Sequence, residues 1–329
     1  MRAAVYGAGA LGTVLGAALT RSGADVELVS RDQEHVDALN RSGARITGLR
    51  EWTVPVKACT PQQMSGRYDV ILLLTKQMAN TAALPRLAEH LAPDGIVCAL
   101  QNGIPEPELA AALGADRVAG GVVTWNAVRI GAGQARLSPP ESSLHFKIGS
   151  LPGTDPRRLD PVKALLERFC PAEPVEDLLG LRWSKLLINA ALSCPASILG
   201  GKCGAVLEDA RWRRIALYLL RECIAVGHAA GVKFEPVQGY DYPAELVKSK
   251  FMKLNSEHIR FVLDCMQENT TKIRNIKQYL KAVLFNAPST IDSYYTSLVA
   301  HDMASGALAP RKPKYGDPDY YTYNEGESL

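Results

Sequence analysis

The chain lacks the marks of several protein classes. No apolar run is long enough to span a bilayer and no signal peptide opens it, so a reducing cytoplasm is the expected compartment and a membrane is not an expected partner. Excess charge of one sign is missing too. With 37 Lys and Arg against 34 Asp and Glu, the formal net charge of +3 leaves no basic stripe, and nucleic acid is not expected as a partner. The seven cysteines (Cys59, Cys98, Cys170, Cys194, Cys203, Cys223 and Cys265) are odd in number and contain no Cys-x-x-Cys pair, so they read as reduced, mostly buried thiols. His35, His90, His145, His228, His258 and His301 show no ligand spacing with them, which argues against a zinc site. Internal repeats, low-complexity tracts and charge blocks are also absent. What remains is 329 residues, 47% of them hydrophobic, enough for two packed cores.

The opening residues are the most informative. Ala3-Ala4-Val5-Tyr6 reads as a strand running into Gly7-Ala8-Gly9-Ala10-Leu11-Gly12, a Gly-x-Gly-x-x-Gly dinucleotide fingerprint, and then into a helical pattern. Gly7 permits the tight turn, Gly9 the approach of a pyrophosphate, and Gly12 close packing of helix on sheet. The second strand pattern ends at Ser30-Arg31, where an NAD enzyme usually places a carboxylate on the ribose hydroxyls. A guanidinium there suits the 2′-phosphate of NADP(H). The alternative is that Arg31 is a solvated loop residue and Asp32 takes the ribose.

Strand and helix signals alternate to about residue 170, the pattern of an α/β, Rossmann-type doubly wound parallel sheet. The continuous apolar runs at 68–75 and 96–100 predict strands buried on both faces. They deliver Lys76 and Gln101-Asn102-Gly103 to the carboxyl edge of the sheet, where ligands of open α/β folds bind. An ordinary surface lysine and a plain turn are the competing readings. Pro171-Ala172-Glu173-Pro174 reads as a linker, and beyond it 181–199, 208–230 and 245–284 carry apolar residues at helical spacing. The expected organisation is therefore a dinucleotide-binding domain at 1–174 and an all-helical domain at 175–329, with an irregular tail from about 309.

Within the first helical segment Lys185, Asn189 and Ser193 recur every four positions, so an ammonium, an amide and a hydroxyl fall along one helix face. Such a stripe on an otherwise apolar helix can line a cleft, or it can be a solvated face. Trp125, Trp183 and Trp212 read as packing residues, and Glu222 as a solvated or paired charge.

Taken together, Gly7 to Gly12, Arg31, Thr75-Lys76, Gln101-Asn102-Gly103 and Trp183-x-Lys185-x-x-x-Asn189 resemble the ketopantoate reductase (2-dehydropantoate 2-reductase) family in order and spacing, over most of the first 230 residues. The resemblance implies NADP(H) along Gly7, Ala8, Gly9, Ala10, Leu11 and Gly12, with Arg31 at the 2′-phosphate and Lys76, Gln101 and Asn102 near the cofactor. It implies Lys185 as the catalytic proton donor, Asn189 orienting a 2-keto acid or related ketone, and Asn102, Ser193 and Ser297 holding that substrate. A homodimer is also implied. The chain departs from the pattern at Pro288-Ser289-Thr290-Ile291-Asp292, where Thr290 stands in place of the family's substrate-binding glutamate, and at Ser193, where an asparagine is usual. The resemblance implies ketopantoate or a divergent substrate, and the lost carboxylate and amide speak against ketopantoate itself. A dehydrogenase running in reverse on a secondary alcohol or amine, and a non-catalytic NADPH sensor, are the alternatives. The intact Lys185 and Asn189 argue against the sensor.

Overall fold

A computed structural model describes residues 1–232, 234–237, 240–243, 253–255, 257–262, 282–284, 286–288 and 290–291. The expected helix over 245–284 falls mostly outside the described residues, as do Cys265, Ser297 and the tail from 309.

Twelve strands precede the helical segments: β1 (Arg2–Tyr6), β2 (Asp25–Val29), β3 (Ala44–Gly48), β4 (Trp52–Val54), β5 (Lys57–Cys59), β6 (Tyr68–Leu73), β7 (Leu91–Ala99), β8 (Val118–Val123), β9 (Ala127–Gly131), β10 (Gln134–Leu137), β11 (Phe146–Ser150) and β12 (Ala172–Pro174). The helices among them are α1 (Ala10–Arg21), α2 (Gln33–Ser42), α3 (Asn80–His90), α4 (Glu106–Leu113) and α5 (Asp160–Leu166). The main sheet runs β12, β11, β8, β7, β6, β1, β2, β5. From β5 to β8 every pairing is parallel, as expected; β11 then runs antiparallel to β8.

The chain leaves β1 in one direction through β2 and resumes on the other side at β6, so the strand order reverses between β1 and β6. That reversal opens a crevice at their carboxyl ends. The unbroken apolar runs follow from burial on both faces, since alternate residues enter opposite layers. Val5, Val70 and Leu72 join one core with Leu15, Leu19 and Leu28, whereas Ala4, Tyr6, Ile71 and Leu73 join the other with Leu87 and Leu109. Trp125 belongs to the first, edge-on to Phe146 and Phe169 at centroid distances of 5.9 and 5.3 Å.

Two features differ from expectation. Pro171-Ala172-Glu173-Pro174 is not a linker: it carries the edge strand β12, and the Phe146 N–H donates to the Pro171 carbonyl at 2.8 Å. An outer strand tolerates prolines because one side of its ladder needs no partner. A second sheet, β4, β3, β10, β9, also has no counterpart in the sequence reading; its strands are short, and β3 and β10 pair across about ninety intervening residues.

Past β12 come α6 (Leu178–Ile188), a π turn over Asn189–Ser193, α7 (Cys194–Leu199), α8 (Cys203–Glu208) and α9 (Ala210–Ala229), with Gly231 beyond it at φ +77°; a third departure follows, because β13 (Phe234–Val237) and β14 (Tyr240–Pro243) pair as a two-stranded sheet where an all-helical domain is expected. The expected segment 181–199 is therefore one helical run interrupted by a π turn. Ala191, Ala196, Val206 and Ala216 form its small core, against which Trp212 packs. The chain divides into two compact units, Met1–Glu235 with Asp241–Leu246, and Pro236–Tyr240 with Val247–Leu329. The first holds the eight-stranded and four-stranded sheets and α1 to α9. In the second, Phe261, Val262 and Ala287 are buried together with Leu254, Val283, Leu284 and Ile291 around them.

Candidate active site

The site begins where β1 ends. Gly7 sits at φ +110°, and a Cβ there would stand 2.5 Å from the Thr75 backbone nitrogen. A Cβ on Gly12 would stand 2.3 Å from the Gly7 carbonyl oxygen, whereas one on Gly9 would meet nothing within 4 Å. Two of the glycines are thus required by the protein's own packing, and the third opens onto free space. The Gly7 and Ala8 N–H groups both donate to the Val29 carbonyl at 2.9 Å, fixing the loop to β2. Helix α1 starts with no side-chain cap and no acidic residue in its first turn, leaving its positive end to an anion. These residues fit a dinucleotide diphosphate.

Beyond β2, Arg31 is exposed and makes no hydrogen bond or ion pair among the described residues. Asp32 is committed: Oδ1 caps α2 by accepting from the His35 N–H at 3.2 Å, and Oδ2 pairs with Arg129 Nη2 at 2.7 Å. The Arg129 guanidinium and the cap bond hold the Asp32 carboxyl below the usual carboxylate range. His35 is fully buried and lies 3.1 Å from Thr13 Oγ1, which in turn donates to the Ala8 carbonyl. Its Nδ1 accepts from the Gly133 N–H at 3.0 Å, which leaves Nε2 as the protonated nitrogen and the ring neutral; burial pushes its pKa down.

At the ends of β6 and β7 the candidates separate. Lys76 and Asn102 are exposed, Asn102 beside Gly103 at φ +90°. The turn reading and the binding reading of Asn102-Gly103 are compatible, since the turn is what presents Asn102 outward. Gln101 turns inward instead: its side-chain nitrogen donates to Thr75 Oγ1 at 3.0 Å and to Asn80 Oδ1 at 2.8 Å, tying the two loops together beneath the surface.

Helix α6, capped by Asp177 on the Gly180 N–H at 2.8 Å, brings Lys185 to the end of β8. Its Nζ donates to the Val123 carbonyl at 2.9 Å. Burial, with the Arg182 charge one turn away, pulls the ammonium from 10.5 down to about 8. An ammonium so placed is a ready proton donor near neutral pH. The π turn follows directly, with Ser193 Oγ donating to Asn189 Oδ1 at 3.4 Å, so these two residues of the stripe stay neighbours. Ser297 lies outside the described residues. Thr290 is exposed, its hydroxyl donating to the Asn286 carbonyl at 3.1 Å, and Glu222 is exposed on α9.

The sequence reading missed Arg182. Only 2% exposed, it donates through Nε to Glu106 Oε1 at 2.8 Å, through Nη1 to the Gln101 carbonyl at 2.6 Å and through Nη2 to the Ala99 carbonyl at 2.7 Å. One buried ion pair thereby fastens the Lys185 helix to the Asn102 turn. Its single trace in the sequence is Gly120, where a Cβ would lie 2.1 Å from Glu106 Oε1.

The chain is similar to proteins of known name. Residues 3–153 match the family model described as ketopantoate reductase PanE/ApbA, and residues 219–306 match a family of unknown function (DUF6017). The 2-dehydropantoate 2-reductase of Pyrococcus horikoshii is 29% identical over 88% of this chain and 93% of its own. Among solved structures, a 2-dehydropantoate 2-reductase from Geobacter metallireducens superposes with a TM-score of 0.65 at 28% identity, covering 73% of this chain and 79% of that one. The fold is shared with D-mandelate dehydrogenase in its ternary structure with NADH and anilino(oxo)acetate (TM-score 0.65, 20% identity, 70% of this chain and 75% of that one). Residues 3–153 match the ketopantoate reductase family model, and the chain is an oxidoreductase similar to 2-dehydropantoate 2-reductases.

Proposed function

We propose that the chain reduces the carbonyl of a 2-keto acid or related ketone with NADPH, ketopantoate or a divergent analogue being the substrate and Lys185 the proton donor. The observation that carries the reading is the half-buried Lys185 ammonium, held at the carboxyl end of β8 in the same compact unit as a glycine loop whose central glycine faces open space.

Gly7 to Gly12 and the start of α1 would hold the diphosphate, the unpaired Arg31 the 2′-phosphate, and Lys76 and Asn102 the rest of the cofactor. When bound, the dihydronicotinamide supplies the hydride. The chain's own part is orientation and charge. Lys185 Nζ stabilises the developing alkoxide by hydrogen bonding and then donates its proton to that oxygen, while Asn189 and Ser193 orient the substrate. Residues 1–174 serve the cofactor and 175–329 the substrate in this reading, within a homodimer in the cytoplasm.

Oxidation of NADPH followed with ketopantoate and a panel of 2-keto acids, with Lys185→Ala alongside, tests it. Turnover lost in the variant while both proteins bind NADPH supports the proposal. Turnover that survives in Lys185→Ala refutes the role of the lysine, and NADPH binding without turnover on any carbonyl compound refutes the reductase reading.

A further inference from the structure

We infer that Arg129 is a cofactor-selectivity residue, which acts by occupying the Asp32 carboxylate so that this group neither holds a ribose diol nor repels a 2′-phosphate. The inference rests on the NADPH reading above and adds a residue to it.

Asp32 is the first acidic residue after β2, and on sequence alone it competes with Arg31 for the adenosine ribose. In the structure neither of its oxygens is free of a protein donor. Oδ1 takes the His35 N–H of the helix cap, and Oδ2 takes Arg129 Nη2 at 2.7 Å, from a strand 97 residues further along the chain. Arg129 is also held by its own strand end, with Nε donating to the Gly131 carbonyl at 3.4 Å.

An ion pair on the surface is usually worth little and its geometry is loose. This one is placed by something firmer. The turn between β9 and β10 is anchored to the start of α2 through the buried Gly133 N–H to His35 Nδ1 bond. His35 reaches the glycine loop in turn through Thr13 and the Ala8 carbonyl. The strand that carries Arg129 is therefore registered against the nucleotide loop by buried contacts, and the exposed pair inherits that register.

The charge count gives the consequence. Arg31 and Asp32 alone would present one cation and one anion to the ribose, summing to zero. With Arg129 the local sum is one positive charge, and the remaining unpaired group is the Arg31 guanidinium. A 2′-phosphate is favoured by that arrangement, and a bare ribose diol finds its natural acceptor already engaged.

The test is a double-mutant cycle in the full chain, read as dissociation constants for NADPH and NADH by cofactor fluorescence. Its members are the native chain, Arg129→Gln, Asp32→Asn, which retains a capping side chain, and the double variant, with Arg31→Ala as reference. Arg129→Gln should lower the preference for NADPH over NADH by about tenfold, equivalent to about 1.4 kcal/mol of restored repulsion. In the Asp32→Asn background the same substitution should change that preference by less than about twofold, because no carboxylate is left to unmask. An equal loss in both backgrounds overturns the inference and makes Arg129 a direct phosphate contact. An unchanged preference in Arg129→Gln overturns it altogether. A native chain that prefers NADH, with Arg31→Ala indifferent, removes the underlying NADPH reading instead, so the two failures are distinguishable. Thermal melts of each variant confirm that it folds.

Discussion

Alanine at Gly9 and alanine at Gly12 should damage this protein in opposite ways, although the two glycines stand three residues apart in one motif. A methyl group on Gly12 would arrive 2.3 Å from the Gly7 carbonyl oxygen and 3.2 Å from Val5 Cγ1, inside the contact between helix and sheet. Overpacking of that kind costs about 1–3 kcal/mol. Removing a glycine from a helix returns at most about 1 kcal/mol, and with that full return the net loss is up to about 2 kcal/mol, so that at about 2–4 °C per kcal/mol the melting temperature should drop by up to about 8 °C. At Gly9 the same methyl meets nothing within 4 Å, and the φ of −79° is not the left-handed value that demands glycine, although the ψ of −149° lies beyond the usual β range. Stability should stay within about 0.5 kcal/mol. The methyl stands instead in the space left for the diphosphate, so NADPH affinity should fall at least tenfold, about 1.4 kcal/mol. Calorimetric melting paired with titration calorimetry of NADPH separates the two effects. The reasoning fails if Gly9→Ala melts as low as Gly12→Ala, or if Gly9→Ala binds NADPH as the native chain does.

Lys185→Met should abolish reductase activity by about 10²–10⁴-fold yet stabilise the fold at neutral pH. With the folded-state value at about 8 against 10.5, the native chain carries a desolvated charge below pH 8, and its stability rises from pH 8 to 10.5 as the folded lysine releases its proton first. The variant's advantage, about 1–3 kcal/mol, should therefore shrink over that interval in urea titrations; a variant less stable at neutral pH would contradict the burial argument. Arg182→Met should cost about 3–5 kcal/mol, because Glu106 would be left as a buried charge without its partner. The Arg182→Met, Glu106→Leu double variant should recover part of that loss, and a single-variant cost under about 1 kcal/mol would show that the pair is dispensable. His35, whose pKa burial lowers, is neutral in folded and unfolded chains above about pH 6.5. Below that the unfolded chain binds a proton that the folded chain resists, so acid weakens the fold, and His35→Gln should flatten the urea midpoint between about pH 5 and 7.

The elements legible in the sequence are those whose cause is local. The strands β1, β6 and β7 announce themselves because burial on both faces demands unbroken apolar runs, and the glycine loop because its three glycines stand at fixed short spacing between a strand and a helix. The strand β12 was hidden because two prolines imitate a linker, and only the identity of its neighbour makes it an edge. The sheet of β4, β3, β10 and β9 was hidden because strands of three to five residues carry too little alternation to register. The two ion pairs that organise the site, Arg182 with Glu106 and Arg129 with Asp32, join residues 76 and 97 positions apart. No spacing rule reaches that far.

The same distinction explains why the stripe of Lys185, Asn189 and Ser193 is legible in the sequence while the reason for its placement is not. Their four-residue spacing is a helix property and needs nothing beyond the helix. What gives the spacing chemical meaning is that α6 is locked to the carboxyl edge of the sheet by a guanidinium spending its donors on Glu106 and on the carbonyls of Ala99 and Gln101. Arg182 precedes Lys185 by three residues, so the two side chains lie on one side of the helix, and the lock that fixes Lys185 beside Val123 also lowers its proton affinity through like charge. Arg182 thus contributes to both the position and the acidity of the proposed donor, burial being the larger cause of the second. A charge-neutral lock of the same shape would hold the lysine in place and leave it a weaker acid.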